Sequence, residues 1–221
     1  MTVVRAGRIE VRDRLAEMGL SVEELHEILN RAEAERRTCT GFDPPGLPGS
    51  VFWGRIVRFL RETYVPKGWK ARNVDQLPLL INPDRSLAIT ASSGDWATGL
   101  SALYTPKSRY PKGAATGRRV EANGQATIPG LPADLTEDAD EDDSLATWVL
   151  LYVHEKGEDQ TKLRCELSLP LEIGAHGKIS KWSERLILPP LEFPEDVIGL
   201  GGAENDEGSG AIDVPIERRG A

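Results

Sequence analysis

Serine, aspartate and histidine side chains that follow predicted strands could form a catalytic site. Ser92, Ser93 and Asp95 come at the end of one predicted strand, and His154 comes at the end of another. A hydrolase needs a nucleophile, a base and a group that orients the base, and converging strand ends would bring these side chains together. The sequence around Ser92 lacks the Gly-x-Ser-x-Gly pattern of a nucleophile elbow. A structural role is therefore favoured for His154, and a hydrolase is kept as an alternative.

Three carboxylates and a lysine could serve a nuclease instead. A metal-dependent nuclease needs several Asp or Glu side chains beside a lysine on a sheet, and Asp84, Asp95, Glu166 and Lys162 provide one such set. Chains of this length contain sets like this by chance, so the nuclease is also an alternative rather than the main prediction.

Residues 94–101 have the glycine spacing of a phosphate-binding loop, with Gly94 and Gly99 in the two glycine positions. The lysine that reaches the terminal phosphates in such loops is replaced by Leu100. We therefore predict a glycine-bearing loop after a strand and not a nucleotide hydrolase. Backbone N–H groups of such a loop could still bind an anion.

Two further patterns look like metal sites but lack the required ligands. Asp138, Asp140 and Asp142 begin like a calcium loop, but Asp143 occupies the glycine position and Val149 the position of the bidentate Glu. Zinc needs about four clustered N or S ligands, whereas the two Cys and three His are not near neighbours in the sequence. The sequence therefore predicts no metal and no cofactor.

The formal charge is uneven along the chain. Residues 1–50 carry −2, residues 51–119 carry +8 and residues 120–221 carry −14, which together give the net charge of −8. A basic middle segment can contact an anionic partner, unless the acidic segments fold over it and neutralise it. The candidate binding residues are basic side chains of this segment and one tyrosine: Arg55, Arg58, Arg61, Lys67, Lys70, Lys107, Arg109, Tyr110, Lys112, Arg118 and Arg119.

Aromatic side chains are interleaved with these basic residues. Sites for single-stranded nucleic acid combine a basic groove with aromatic side chains on which the bases stack. The alternative interpretation is that the first two aromatic residues belong to the core and the others support loops. The aromatic residues in question are Phe52, Trp53, Tyr64, Trp69, Trp96, Tyr104 and Tyr110.

The elements that must position these residues predict an α+β fold. A helical hairpin over residues 1–39 uses Ser21 as the N-cap of its second helix, and a linker follows over residues 40–49. Residues 50–198 are predicted to form a domain in which an amphipathic helix packs on an antiparallel sheet of about five strands. Within this domain the sequence predicts a hairpin turn at residues 82–85, a long basic loop at 93–124 and an acidic linker at 133–144. After it the sequence predicts a flexible acidic, glycine-rich tail at residues 199–221.

Composition narrows the class of protein further. The chain has 221 residues, two cysteines and no run of about 18 apolar residues, so we expect a cytoplasmic protein without a disulfide framework or a membrane span. Because no complete catalytic set is evident, we predict a non-enzymatic binding protein, a small subunit or adaptor in a larger assembly. Its basic central segment would contact nucleic acid or an acidic protein.

Two alternatives to this function stay open. One is the metal-dependent nuclease or other hydrolase described above. The other is an acidic mimic, in which the C-terminal part with its charge of −14 occupies the basic groove of a nucleic-acid-binding protein.

Overall fold

The computed structural model describes residues 2–126, 145–157 and 159–194. The helices in this part of the chain are α1 (Arg8–Glu17), α2 (Val22–Arg36), α3 (Leu47–Tyr64) and α4 (Ala114–Ala126), and a short 3-10 helix (Val65–Lys67) follows α3. The strands are β1 (Val3–Arg5), β2 (Lys70–Val74), β3 (Leu77–Ile81), β4 (Leu87–Ser93), β5 (Ala146–Lys156), β6 (Gln160–Ile173), β7 (Ile179–Ile187) and β8 (Leu191–Pro194).

All eight strands form one mixed sheet in the order β1-β7-β6-β5-β4-β3-β2, with β8 also paired to β6. The predicted α+β class is confirmed, but the prediction of an antiparallel sheet of about five strands is wrong. Strand β4 pairs with β5 in parallel, and β1 pairs with β7 in parallel. The β4–β5 pairing requires a crossover connection, and the segment between these strands contains α4.

Helices α1, α2 and α3 cover one face of the sheet. The hydroxyl of Ser21 accepts a hydrogen bond from the backbone N–H of Glu24 at 3.2 Å, so the predicted N-cap of α2 is confirmed. Helix α3 buries an apolar stripe, and each large apolar side chain fully removed from water contributes about 1.5–3 kcal/mol. The stripe consists of Phe52, Ile56, Phe59 and Leu60, and it packs in one cluster with Leu150, Tyr152, Leu163 and Leu167 of the sheet.

The opposite face is covered by α4 and by residues 94–113. Helix α4 lacks a continuous apolar stripe, and the buried side chains among its residues 114–125 are Arg119, Val120 and Asn123. The amide of Asn123 donates to the carbonyls of Thr147 and Pro170 at 3.0 Å and accepts the N–H of Thr147 at 2.9 Å. Side-chain hydrogen bonds to β5 and β6 therefore hold α4 on the sheet. An ordinary amphipathic helix would be held by burial of an apolar stripe.

The predicted acidic linker at 133–144 and the predicted tail at 199–221 lie outside the described residues. The residues outside the described ranges contain 15 acidic and 2 basic side chains. The described part therefore contains 20 acidic and 25 basic side chains, a formal charge of +5. None of its helices combines the length and apolar character that crossing a membrane would require.

Candidate functional site

A cavity of about 280 Å³ lies where β3 and β4 separate. The two strands are paired only at Leu80–Ile89 and Ile81–Ala88, whereas β4 continues to Ser93. The indole N–H of Trp53 donates to the carbonyl of Ala91 at 3.1 Å, so a side chain of α3 occupies this part of the strand edge. The cavity therefore opens at a gap in the sheet and not on a flat face.

Ser92 and Lys112 meet in this cavity. The ammonium Nζ of Lys112 donates to Oγ of Ser92 at 2.5 Å, and the Ser92 hydroxyl in turn donates to the carbonyl of Ser93 at 3.2 Å. The backbone N–H of Lys112 is bound by the carbonyl of Gly177 at 2.7 Å. Burial lowers the pKa of Lys112 to about 8, because a low-dielectric environment disfavours the charged ammonium.

A third polar side chain, Thr90, lies on the same face of β4 as Ser92 because alternate residues of a strand share a face. Its hydroxyl is buried and has no hydrogen-bond partner within the described part of the chain. Apolar side chains complete much of the wall, and the lining residues include Leu77, Pro78, Val149 and Ile179 together with Tyr110 and Thr116. The cavity thus combines an apolar lining with a few convergent polar groups, as small-molecule sites do.

Residues 94–113, which we name the clamped loop, are held on the sheet by a buried ion pair. The guanidinium of Arg185 lies 2.7 Å from the carboxylate of Glu166, and both side chains are almost completely buried. Arg185 also donates to the carbonyls of Tyr104 at 2.8 Å and Leu100 at 3.3 Å. The indole N–H of Trp182 donates to the carbonyl of Pro106 at 2.7 Å. Side chains of β6 and β7 therefore bind the loop at several carbonyls.

The glycine spacing that looks like a phosphate-binding loop has a packing explanation. Gly99 has φ +69, and a Cβ added there would lie 2.9 Å from Cβ of Arg164. A Cβ added at Gly94 would lie 2.0 Å from Oγ1 of Thr98. The N–H of Gly99 does bind an anion, as the sequence suggests, but the anion is the protein's own Glu166 carboxylate at 2.9 Å.

The outer side of the clamped loop carries large apolar side chains. Trp96 is 62% exposed, Leu103 is 88% exposed and Tyr104 is 44% exposed. The rings of Trp96 and Tyr104 pack edge to face with their centroids 5.2 Å apart. Lys107 and Arg109 on the same loop are exposed, and the Arg109 guanidinium lies 5.6 Å from the centroid of the Tyr110 ring.

The basic residues of α3 lie elsewhere and interact with neighbouring polar groups. Arg55 is 3.4 Å from the carboxylate of Glu35, and Arg58 is 2.7 Å from that of Glu62. Arg61 donates to the side-chain oxygen of Asn73 at 2.7 Å.

The remaining members of the predicted basic set are spread over the molecule. Lys67 pairs with Glu24, and Arg118 pairs with Asp75. Lys70 is exposed on β2, and Arg119 is buried in α4. The predicted basic residues therefore lie on several different elements, and the clamped loop contains Lys107, Arg109, Tyr110 and Lys112.

The histidine and two of the carboxylates of the predicted hydrolase and nuclease sites form hydrogen bonds with other residues of the fold. His154 lies 2.9 Å from the buried carboxylate of Glu33, on the helix-covered face. Asp95 accepts the N–H of Ala97 at 3.1 Å, and Asp84 accepts the hydroxyl of Ser86 at 3.0 Å. Across the three described ranges no group of three His, Cys, Asp or Glu side chains is arranged to hold a metal ion.

The sequence indicates Ser92 as a candidate nucleophile and Lys112 as a candidate binding residue, but it does not pair them. They are 20 positions apart, and the fold of the clamped loop brings them together. The only sequence signal is a serine at a strand end followed by a lysine in the returning loop, which many chains contain. No protein-family model, curated protein or solved structure matches the chain, so its function must be inferred from this geometry.

Proposed function

We propose that the protein is a binding protein, a subunit or adaptor of a larger assembly, whose clamped loop contacts single-stranded nucleic acid. The observation that supports this proposal is the combination of a buried polar clamp with an exposed aromatic surface. Arg185 and Glu166 hold the loop backbone from inside, while Trp96, Leu103 and Tyr104 project to solvent.

An exposed apolar group of this kind favours an interaction surface. Isolated surface apolar residues are normal, but clustered ones mark contact sites, and Trp96 and Tyr104 pack against each other. A loop already fixed in one conformation loses little further entropy when a partner binds, and such preorganisation raises affinity. The clamp therefore benefits binding as well as stability.

Single-stranded nucleic acid fits both properties of this loop. Bases stack on aromatic side chains regardless of sequence, and phosphates are attracted by nearby cations. Trp96 and Tyr104 offer the stacking surfaces, and Lys107 offers a cation that forms no ion pair with the described residues. An acidic protein would use the cation but would leave the aromatic rings with less to contact.

Fluorescence anisotropy with labelled oligonucleotides tests the proposal. The strands should be about 20 nucleotides long, because one such site covers roughly 4–16 nucleotides, and single-stranded DNA, single-stranded RNA and a duplex are compared across a salt titration. We expect binding to the single strands, with affinity that falls as salt rises. A Trp96→Ala/Tyr104→Ala double variant should bind at least tenfold more weakly, since stacking contributes about 1–3 kcal/mol per base.

The matched control is Phe42→Ala. Phe42 is 94% exposed but lies outside the clamped loop, so its removal tests whether any exposed aromatic ring suffices. Affinity unchanged by Phe42→Ala and lowered by the double variant would support the loop as the contact surface. Failure of the wild-type protein to bind any single strand at low salt would overturn the nucleic-acid proposal and turn attention to an acidic protein partner.

A further inference from the structure

The contact between Ser92 and Lys112 lies inside the cavity, whose lining does not include Trp96, Leu103 or Tyr104. Ser92 is buried at the end of β4, and Lys112 is largely removed from solvent. Burying an ammonium group is unfavourable unless it is paired, yet no carboxylate among the described residues forms an ion pair with Lys112. Its close neighbour in the cavity is a hydroxyl, which is a weak partner for a cation and a good one for a free amine.

We propose that Ser92 is a nucleophile and Lys112 its general base, and that the cavity accepts a small ester or amide with a short apolar acyl group. The proposal depends on the 2.5 Å distance between Lys112 Nζ and Ser92 Oγ and on the cavity of about 280 Å³ into which both open. It does not depend on nucleic-acid binding by the loop.

The chemistry needs only the substrate and water. The neutral amine of Lys112 takes the hydroxyl proton of Ser92 while Oγ forms a bond to the acyl carbon. The bond to the leaving group then breaks, and the leaving group takes the proton from the Lys112 ammonium. A water molecule next gives a proton to Lys112 and attacks the Ser92 ester. When the ester bond breaks, Ser92 recovers its proton and the carboxylic acid leaves.

Lys112 can supply the neutral amine near physiological pH. With its pKa lowered by burial to about 8, about a tenth of the molecules carry the free amine at pH 7 and about half at pH 8. The titratable and charged groups on the surrounding elements include Arg109 and Tyr110 on the same loop and His176 and Lys178 on the β6–β7 turn. Helix α4 adds Arg118, which pairs with Asp75, together with Arg119 and Glu121. General-base catalysis is most effective when the base has a pKa near the working pH.

Thr90 would supply a hydrogen bond to the developing oxyanion. Thr90 lines the cavity two residues before Ser92, and its buried hydroxyl has no partner within the described part of the chain, so a rotation of the side chain would turn it to the substrate. A preorganised donor of this kind favours the transition state over the ground state. The apolar side chains of Leu77, Pro78, Val149 and Ile179 would contact the acyl chain and exclude bulk water.

Covalent labelling with a fluorophosphonate tests the nucleophile on the full-length protein. The Ser92 oxygen would displace fluoride from phosphorus and pass its proton to Lys112, and intact mass spectrometry with peptide mapping would locate the adduct. We expect one adduct, at Ser92, and none in Ser92→Ala. Lys112→Met should slow labelling at least 100-fold, because general-base catalysis typically contributes about 10²–10⁴-fold.

The pH dependence of labelling separates a base from a merely structural lysine. In the wild-type protein the rate should rise about fivefold from pH 7 to pH 8 and less than twofold from pH 8 to pH 9, following the free amine of a group with a pKa of about 8. Lys112→Met should lose this profile. Hydrolysis of p-nitrophenyl butyrate should show the same dependence and should decrease in Thr90→Val.

The controls are Ser93→Ala, which removes the next hydroxyl along β4, and Lys156→Met, which removes an exposed lysine at the end of β5. Both should label like the wild-type protein, and circular dichroism melts should show that every variant is folded. If Lys112→Met does not fold, Ser92→Ala and the wild-type pH profile still decide the question. An unlabelled wild-type protein at pH 9, or an adduct that persists in Ser92→Ala, would overturn the proposal.

Discussion

Helix α3 and the clamped loop each place basic side chains beside aromatic ones, but their surroundings differ. On α3, Arg58 pairs with Glu62 one helical turn away, and Arg55 pairs with Glu35 of α2. The clamped loop contains one acidic residue, Asp95, whose carboxylate accepts the N–H of Ala97. The N–H of Asp95 donates to the carbonyl of Lys107 at 2.9 Å, but the exposed ammonium of Lys107 forms no ion pair with the described residues.

The difference shows that a run of basic residues in a sequence is not yet a basic surface. Residues four apart on a helix are neighbours, so a glutamate in the same helix can neutralise an arginine without any change in the charge pattern of the segment. A loop that has few acidic residues and is held on the sheet by buried side chains leaves a cation such as Lys107 available to an anionic partner. Matched substitutions in the two regions should therefore differ in their effects on stability and on binding.

The largest loss of stability should come from breaking the buried ion pair between Arg185 and Glu166. In Arg185→Leu the carboxylate of Glu166 is left buried without its ion-pair partner, so we expect the free energy of unfolding to fall by about 3–5 kcal/mol. Urea denaturation measures this change. Arg58→Leu, which removes an exposed arginine of α3, should leave the urea midpoint within error of the wild type. Equal losses of stability in the two variants would show that the buried Arg185–Glu166 pair contributes no more than a surface ion pair.

The carboxylate of Glu33 links α2 to β5 and should make this side of the molecule sensitive to acid. Burial opposes ionisation of Glu33, but hydrogen bonds from Arg36 and His154 outweigh it and lower its pKa from 4.5 to about 2. A depressed pKa stabilises the fold above pH 4.5, and this contribution is lost as the pH falls towards 2. Glu33→Gln should therefore cost about 2–3 kcal/mol at pH 7 and clearly less at pH 2.5.

Chemical denaturation at the two pH values measures this difference. The matched control is Glu35→Gln, because Glu35 lies two residues away on the same helix in an exposed pair with Arg55. Its effect should be small at both pH values. A loss in Glu33→Gln that is the same at pH 7 and pH 2.5 would contradict an ionised Glu33 in the folded protein.

The backbone of the clamped loop should tolerate less change than that of α3. Gly99→Ala places a Cβ at φ +69 and within 2.9 Å of Arg164, so we expect a loss of about 1–3 kcal/mol. Gly54→Ala, in the interior of α3 where an added Cβ meets nothing within 4 Å, should instead stabilise the protein by up to about 1 kcal/mol. Thermal or urea unfolding of the two variants should show opposite signs.

The parts of the fold that could be predicted are those with strong local signals. Ser21 and the periodic apolar residues after it predict α2, and the turn at residues 82–85 predicts the pairing of β3 with β4. The turn forms as expected: the side chain of Asn82 accepts the N–H groups of Ser86 and Leu87 at 2.9 Å. The alternating apolar residues of residues 162–169 predict most of β6.

The elements that the sequence does not reveal depend on distant partners. Strands β1 and β8 have three and four residues, too few for a period to be recognised. Helix α4 contains Gly117 and Gly124, and Val120 is its one large apolar residue, so its sequence is consistent with a loop. It is held by Asn123, which bonds to residues 24 and 47 positions away.

The candidate sites were predictable only in part. The basic and aromatic residues of the clamped loop are visible in the sequence, but their availability depends on where the carboxylates lie in three dimensions. The pairing of Ser92 with Lys112 depends on the path of the returning loop, which binds Ile179 and Gly177 of distant segments. Neither contact has a local sequence signature.

The smallest predicted effect gives the sharpest test of the contrast between α3 and the clamped loop. Removing one cation that touches a phosphate should lower the slope of log affinity against log salt by about 0.7 for a single strand. Lys107→Met should therefore reduce the slope by about this amount, whereas Arg58→Met should leave it unchanged because Glu62 already neutralises that arginine. Salt titrations by fluorescence anisotropy measure both slopes. If Arg58→Met lowered the slope as much as Lys107→Met, the ion pairs of α3 would have to open on binding, and the charge of the whole segment rather than of the loop would attract the partner.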